Sequence, residues 1–203
     1  MSDISKVNIE TYDKTAKEYD EWARGFDMSN EYRQFKEYLV KDSGKILDVG
    51  CGSGRDARAL FDMGYDVVGI DLSDNMLKLA KLKAPAAKFI RMDFRDLFLE
   101  NDYFDGFWAN ATLFLVAETD LKKATQELYR VTKKGGVGFI SFKEGEGEVK
   151  KEIDGLAKIQ LLYSYSELRE IMKEVGFKVL MTERKEDQRR KGVFWLRYYL
   201  RKV

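Results

Sequence analysis

The run Ile46-Leu47-Asp48-Val49-Gly50-Cys51-Gly52-Ser53-Gly54 carries the strongest chemical signal in the sequence. An apolar, strand-like stretch enters a turn with glycine at every other position and leaves it as a helix. Bare backbone in such a turn can approach a ligand closely. The spacing is G-x-G-x-G, whereas the dinucleotide fingerprint is G-x-G-x-x-G, so a nicotinamide dehydrogenase is the poorer enzyme match. Two acidic residues add to the loop. Asp71 ends the run Val67-Val68-Gly69-Ile70 about twenty residues further on, where a carboxylate can accept from both hydroxyls of a ribose. Asp93 follows Phe89-Ile90-Arg91-Met92, where it can accept from an adenine amino group while the Phe94 backbone meets the ring edge. The plainer reading of both carboxylates is as helix caps.

The chemistry that is missing narrows the choice further. No histidine occurs in the 203 residues and Cys51 is the only cysteine, which excludes an internal disulfide and a Cys-rich zinc site. No metal is expected. Any base must come from Asp, Glu, Tyr or Lys, and Cys51, with no histidine to activate it, reads as a small residue in a tight loop. Thirty-six basic against thirty-five acidic residues leave a net charge of +1, without the positive field that grips long nucleic acid. No signal-like run follows the polar start Met1 to Glu10, and no apolar stretch is long enough for a bilayer. The expectation is a cytoplasmic, non-membrane protein, monomeric or homodimeric.

Elements able to position these residues follow from the patterning. Short apolar runs at Lys45–Val49, Asp66–Ile70, Ala87–Met92, Phe104–Ala109 and Val137–Phe142 read as buried strands. Helical patterns lie between them: Arg55–Met63, Ser73–Lys83 with Ser73 as N-cap, and Glu118–Thr132. The alternation predicts an α/β fold, with parallel strands in a doubly wound, Rossmann-like sheet covered on both faces. Gly145–Val149 reads as a flexible loop. Ser164 and Glu167 have capping-box spacing before a helix ending near Gly176, and Phe177–Met181 and Val193–Leu200 read as an antiparallel pair. The charged run Glu183–Lys191 between them reads as a solvated hairpin. The first forty residues, aromatic and charged together, read as short helices. The whole is taken as one domain, with residues 1–42 a helical lid and 43–203 the sheet domain.

The string Asp48–Gly54, Asp71, Asp93, the segment Phe104-Asp105-Gly106-Phe107-Trp108-Ala109-Asn110-Ala111 and Gly135-Gly136 before a strand together resemble class I S-adenosylmethionine-dependent methyltransferases over roughly residues 10 to 202. The resemblance implies a seven-stranded, mostly parallel sheet with an antiparallel C-terminal strand. It also implies S-adenosylmethionine as cofactor, with S-adenosylhomocysteine as product. Carried onto this sequence, Gly50, Cys51, Gly52 and Gly54 would line the methionine portion, with Asp48 orienting its amino end. Asp71 would hold the ribose and Asp93 with Phe94 the adenine, with Leu72, Met76, Ala109, Tyr12 and Tyr19 as further cofactor contacts. Two places depart from the family pattern: Lys134 stands where proline often precedes the double glycine, and Leu115 where many relatives carry histidine.

Methyl transfer from a sulfonium is an in-line displacement from an activated leaving group, so positioning and exclusion of water can suffice. The expected acceptor face comprises Trp108, Asn110, Phe114 and Tyr165, with core packing the alternative for the aromatics and a turn cap for Asn110. No residue stands out as a catalytic base. A small-molecule acceptor is the first reading. An RNA or protein substrate, using the basic residues of 184–191, and a non-catalytic cofactor-binding module remain open.

Overall fold

In the computed structural model, which describes residues 3–39 and 41–203, three helices precede the first strand: α1 (Asp3–Lys14), α2 (Ala16–Ala23) and α3 (Ser29–Tyr38). Met1 and Ser2 of the polar start and Val40 of the lid segment lie outside the described residues. Strand and helix then alternate through β1 (Lys45–Val49), α4 (Arg55–Asp62), β2 (Asp66–Asp71), α5 (Asp74–Lys83), β3 (Lys88–Arg91) and β4 (Phe104–Asn110). A 3-10 turn at Leu113–Leu115 leads to α6 (Glu118–Val131) and β5 (Thr132–Lys143). A hairpin of β6 (Gly147–Ile153) and β7 (Leu156–Leu162) follows, and α7 (Tyr165–Val175), β8 (Phe177–Glu186) and β9 (Phe194–Lys202) complete the chain.

The seven-stranded sheet runs β3-β2-β1-β4-β5-β9-β8. Its first five strands are parallel, and β9 lies antiparallel to both β5 and β8. Strand order reverses at β1, which pairs with β2 on one side and β4 on the other. In open α/β sheets the crevice beyond the strand ends at that point is where ligands bind. The mostly parallel order and the reversed last strand are as the resemblance implied.

Period-two alternation distributes the strand residues between two cores. Leu47, Val68, Phe107, Ala109 and Ile140 face α6 and α7, while Ile46, Val67, Trp108, Val137 and Phe139 face α3 and α4. Helix ends are as the sequence predicts. Ser73 accepts from Met76 N, Ser164 and Glu167 form a full capping box, and Gly176 ends α7 with φ 105°.

Two expectations are corrected. The stretch read as a loop at Gly145–Val149 belongs in part to β6, which turns into β7 through Asp154 (φ 49°) and Gly155 (φ 76°). Asp-Gly with both residues left-handed is a favoured two-residue hairpin turn. It was hard to read because β6, Gly-Glu-Val-Lys-Lys-Glu-Ile, has no apolar face of its own and is held by its partner strand. The run Glu183–Lys191 is not a free solvated arm. Its first residues extend β8, where Arg184 pairs with Glu144 and Lys185 with Glu31. Arg189 donates to the Trp22 carbonyl at 2.9 Å, Gln188 donates to the Asp27 carbonyl and Arg190 pairs with Asp187. Of these cations, Lys185 and Arg189 dock β8 and the turn after it against the N-terminal helices, while Arg184 and Arg190 are held by Glu144 and Asp187.

Candidate active site

The glycine turn sits where β1 delivers it, at the switch point. Gly50 has φ 62°, and a Cβ there would lie 2.0 Å from Thr112 Oγ1, so only glycine fits. Gly52 has φ 51°, but a Cβ there would meet nothing closer than Tyr19 at 3.8 Å. The backbone is bare on the side where a ligand would lie. Gly52 N donates to Asp71 Oδ2 at 2.9 Å and Ser73 N donates to Asp71 Oδ1 at 2.9 Å, so the carboxylate ending β2 ties the turn to the start of α5. Burial pushes the Asp71 carboxyl up, against the lowering effect of these backbone donors.

Two clefts meet over this turn. The first is lined by Gly50, Gly52, Asp71, Leu72 and Met76, with Asp93 and Phe94 at its far end and Tyr12 and Tyr19 above. The second is lined by Cys51, Asn110, Phe114, Lys143, Lys158 and Arg190 among others. Tyr12, Tyr19, Gly50, Gly52, Asn110 and Ala111 border both. With spaces of about 740 and 960 Å³, partly open to solvent, each is of the size of a small-molecule site.

The roof is built from α1 and α2. Asn8 makes strand-like bonds to both backbone polar groups of Ile159 in β7, and its amide also donates to the Leu115 carbonyl. Asp13 accepts from Ser73 Oγ and Asn75 N, and Asp20 pairs with Lys83 and Arg24. Tyr12 and Tyr19 meet edge-to-face at 5.1 Å under this roof, and burial, the largest influence on each, keeps both phenols protonated.

Not every expected residue reaches the clefts. Gly54 (φ 81°) lines neither. A Cβ there would lie 2.8 Å from Ala80 Cα, so the glycine serves the packing of α4 on α5. Cys51 borders the second cleft rather than the first, and burial followed by Asp48 and Asp71 pushes its thiol up, away from a thiolate. Asp48 lies behind the turn with Oδ2 unpartnered, and burial and the neighbouring Asp56 push its carboxyl up. Ala109 is fully buried in the α6–α7 core; the chain reaches the clefts with the next two residues, Asn110 and Ala111. Trp108 points beneath α3, stacked on Phe139 at 3.9 Å, because strand alternation sends it opposite to Phe107. Tyr165 is 43% exposed, stacks on Tyr198 at 5.7 Å and lies outside both clefts. Asp93 is where expected, but its carboxylate is already held by Arg95, which also pairs with Asp120.

Sequence reasoning passed over Asp56, Lys143, Lys158 and Gln160. Asp56 accepts from Tyr32 OH, Arg55, Trp108 Nε1 and Asn110 Nδ2. Burial opposes its ionisation, but the Arg55 charge and these donors outweigh that and hold it below the usual carboxylate range. Lys158 and Gln160 alternate along β7 toward the cleft, and Lys143 ends β5. A lysine closing the buried run Phe139-Ile140-Ser141-Phe142 was the available signal.

Burial first, then the charges of Arg190, Lys151 and Lys158, pushes Lys143 down to about 7; burial and Arg190 push Lys158 down to about 8. A lysine pKa lowered in the folded state means that the folded chain releases protons which the unfolded chain still holds. Stability should therefore rise with pH above about 7, by about 3–4 kcal/mol between pH 7 and 9. Urea midpoints across that window, compared with a Lys143→Met, Lys158→Met double variant, measure the effect; equal slopes for the two proteins would refute it.

Gly52→Ala should fold, at a backbone cost of about 1–2 kcal/mol for its left-handed φ, yet bind ligand poorly because the methyl enters the cradle. Gly50→Ala should lose considerably more stability against Thr112. Thermal melts and cofactor titration of both variants separate the two roles.

A parallel sheet with one reversed strand, and a glycine turn tied to the carboxylate of the next strand, define a Rossmann-like nucleoside-binding class. A family model described as "Methyltransferase domain" matches residues 47–140. The uncharacterized protein MJ1123 of Methanocaldococcus jannaschii is 34% identical over 181 residues, covering 84% of this chain and 82% of that protein. A demethylmenaquinone methyltransferase of Renibacterium salmoninarum is 33% identical over 135 residues, 61% of this chain and 56% of the relative. The first four relatives are matched over between 52% and 82% of their own lengths. Among solved structures, the Burkholderia thailandensis 1,6-didemethyltoxoflavin-N1-methyltransferase, with 1,6-didemethyltoxoflavin and S-adenosylhomocysteine bound, shares the fold at TM-score 0.80 and 20% identity. That alignment covers 98% of this chain and 88% of the other. Residues 47–140 therefore carry a methyltransferase domain, and the chain as a whole has the class I S-adenosylmethionine-dependent methyltransferase fold. The open cradle at Gly52 beside Asp71 fits a nucleoside cofactor of the kind bound in that solved structure.

Among the described residues no helix is long and apolar enough to cross a membrane.

Proposed function

We propose that this chain methylates a small-molecule acceptor held in the second cleft. The observation that carries the reading is the shared border of the two clefts: a donor over Gly52 and an acceptor beside Asn110 and Phe114 would meet under Tyr12 and Tyr19. In this reading Asp71 holds the ribose hydroxyls, Asp93 and Phe94 meet the adenine, and Leu72 and Met76 pack its sides. Asp48 acts from behind the turn, through the backbone of the loop. Residues 1–42 serve as the roof over the 43–203 sheet domain. When bound, the cofactor supplies a sulfonium methyl whose leaving group is already activated.

The chain's own task is then alignment and exclusion of water. Tyr12 and Tyr19 close the junction with aromatic faces that attract a cation. Asn110 is fixed between Asp56 and Ser141, with its amide donating at 3.0 Å and its carbonyl accepting at 2.7 Å, so that wall of the junction is rigid. Two of the similar proteins are named for small acceptors, demethylmenaquinone and 1,6-didemethyltoxoflavin, which supports an acceptor of that class. The commitment of the basic residues 184–190 to internal partners removes the motive for an RNA substrate.

Isothermal titration with S-adenosylhomocysteine, followed by labelled-methyl transfer to metabolite and to macromolecule pools, tests this. Label in the small-molecule fraction is the expected result. Label confined to RNA or protein, or tight cofactor binding with no transfer to any pool, would reject it.

A further inference from the structure

Charge in the second cleft does not balance as it does elsewhere in the molecule. Arg55 is paired with Asp56, Arg190 with Asp187, and Arg197 with Glu31 and Glu183. Lys143 and Lys158 form no ion pair among the described residues, although only 6% and 9% of their surfaces are exposed, and Asp187 acts on Lys143 only from a distance. Lys143 Nζ donates to the neutral amide oxygen of Gln160, and lies 5.9 Å and 5.7 Å from the ring centres of Phe114 and Trp195. Among the described residues, Lys158 Nζ meets ring faces alone, Tyr12 at 4.3 Å and Tyr19 at 5.7 Å.

Two buried ammonium groups without a counter-ion are a standing cost to the fold. Such a cost persists where the missing partner arrives with a ligand. The rest of the lining says what kind of ligand: Trp22, Phe26, Phe114 and Trp195 offer flat apolar surface beside the two cations. Arg190 lines the same wall, with its charge matched by Asp187.

We propose that the acceptor is a planar aromatic acid, its anionic group received by Lys143 and Lys158 and its ring packed against Phe114, Trp195 and Trp22. This rests on the second cleft being the acceptor cleft, and it narrows the acceptor from any small molecule to an anionic one. Lys143 and Lys158 are thereby binding residues for the acceptor. They come from β5 and from the β6–β7 hairpin, so anion recognition depends on the hairpin that α1 holds in place through Asn8 and Thr11.

The test uses the full chain and a panel of hydroxybenzoates, hydroxycinnamates and indole carboxylates, each paired with its neutral amide. Binding is followed by calorimetry at pH 6.5, with and without S-adenosylhomocysteine. At least one acid should bind about tenfold or more tightly than its amide, and Lys143→Met and Lys158→Met should each weaken the acid by about tenfold or more while leaving the amide unchanged. Both variants should melt higher than the native chain in the absence of ligand, a rise that also shows they fold. Equal affinity for acid and amide, retention of acid binding in both variants, or failure of every acid to bind at millimolar concentration would overturn the proposal. So would a Lys158→Met protein that loses S-adenosylhomocysteine affinity but binds the acid normally, since that assigns the lysine to the cofactor's carboxylate. The titration with S-adenosylhomocysteine alone is read separately: its failure counts against the methyltransferase reading, whereas acid binding without it still reports on the lysines.

Discussion

Replacing Asp71 by alanine should weaken S-adenosylhomocysteine binding about 100-fold, while Asp93→Asn should weaken it only about tenfold. The difference comes from what each carboxylate already does. Asp71 ends β2 with Oδ2 on Gly52 N and Oδ1 on Ser73 N, so its loss removes the proposed ribose acceptor and releases the turn that forms the cradle. Charge-assisted hydrogen bonds of this kind contribute about 1.5–3 kcal/mol each. Asp93 shares its charge with Arg95, which lowers its pKa against the opposing effect of burial and leaves less acceptor strength for an adenine amino group. Calorimetry on the two variants, with thermal melts to separate loop loosening from lost contacts, decides the matter. An Asp71→Ala protein that bound within about threefold of the native chain would remove the ribose assignment.

Asp56→Ala should be the most destabilising single change, costing about 3–5 kcal/mol and lowering the melting temperature by roughly 10 °C. One buried carboxylate there accepts from four side chains drawn from three parts of the fold: Tyr32 on α3, Arg55 beside it on α4, and Trp108 and Asn110 on β4. Its removal leaves the Arg55 guanidinium, only 26% exposed, without a counter-charge, and leaves the Trp108 indole N–H without an acceptor in a dry core. Asp56→Asn should cost less, since it keeps shape and one acceptor oxygen. The double variant Arg55→Ala, Asp56→Ala should recover part of the loss by removing the orphaned charge. Urea unfolding with Trp fluorescence measures all three; additive losses in the double variant would show that the pair is not coupled.

Strands, caps and the glycine turn were legible because they are local. A strand read as a buried apolar run, Ser73 before a helix, and glycine at positions 50 and 52 each express a backbone or burial requirement within a few residues. The same local logic misplaced Trp108 and Ala109. Their types suggested a site wall, but a residue's face in a strand depends on a register that only the completed sheet sets: Trp108 went under α3, and Ala109 into the opposite core. Tyr165 followed its helix outward to solvent.

The sequence by itself determined the class of fold and the glycine-turn half of the candidate site, since such a cradle is made of one turn and the strand ends beside it. Only the tertiary structure decided the second cleft. Asp56, Lys143, Lys158 and Arg190 come from α4, β5, the β6–β7 hairpin and the β8–β9 turn, and stand together only when the sheet has closed and α1 has docked the hairpin. Charge balance in a cleft is a property of neighbours in space, and no pattern along the chain records which lysine will find a carboxylate and which will not.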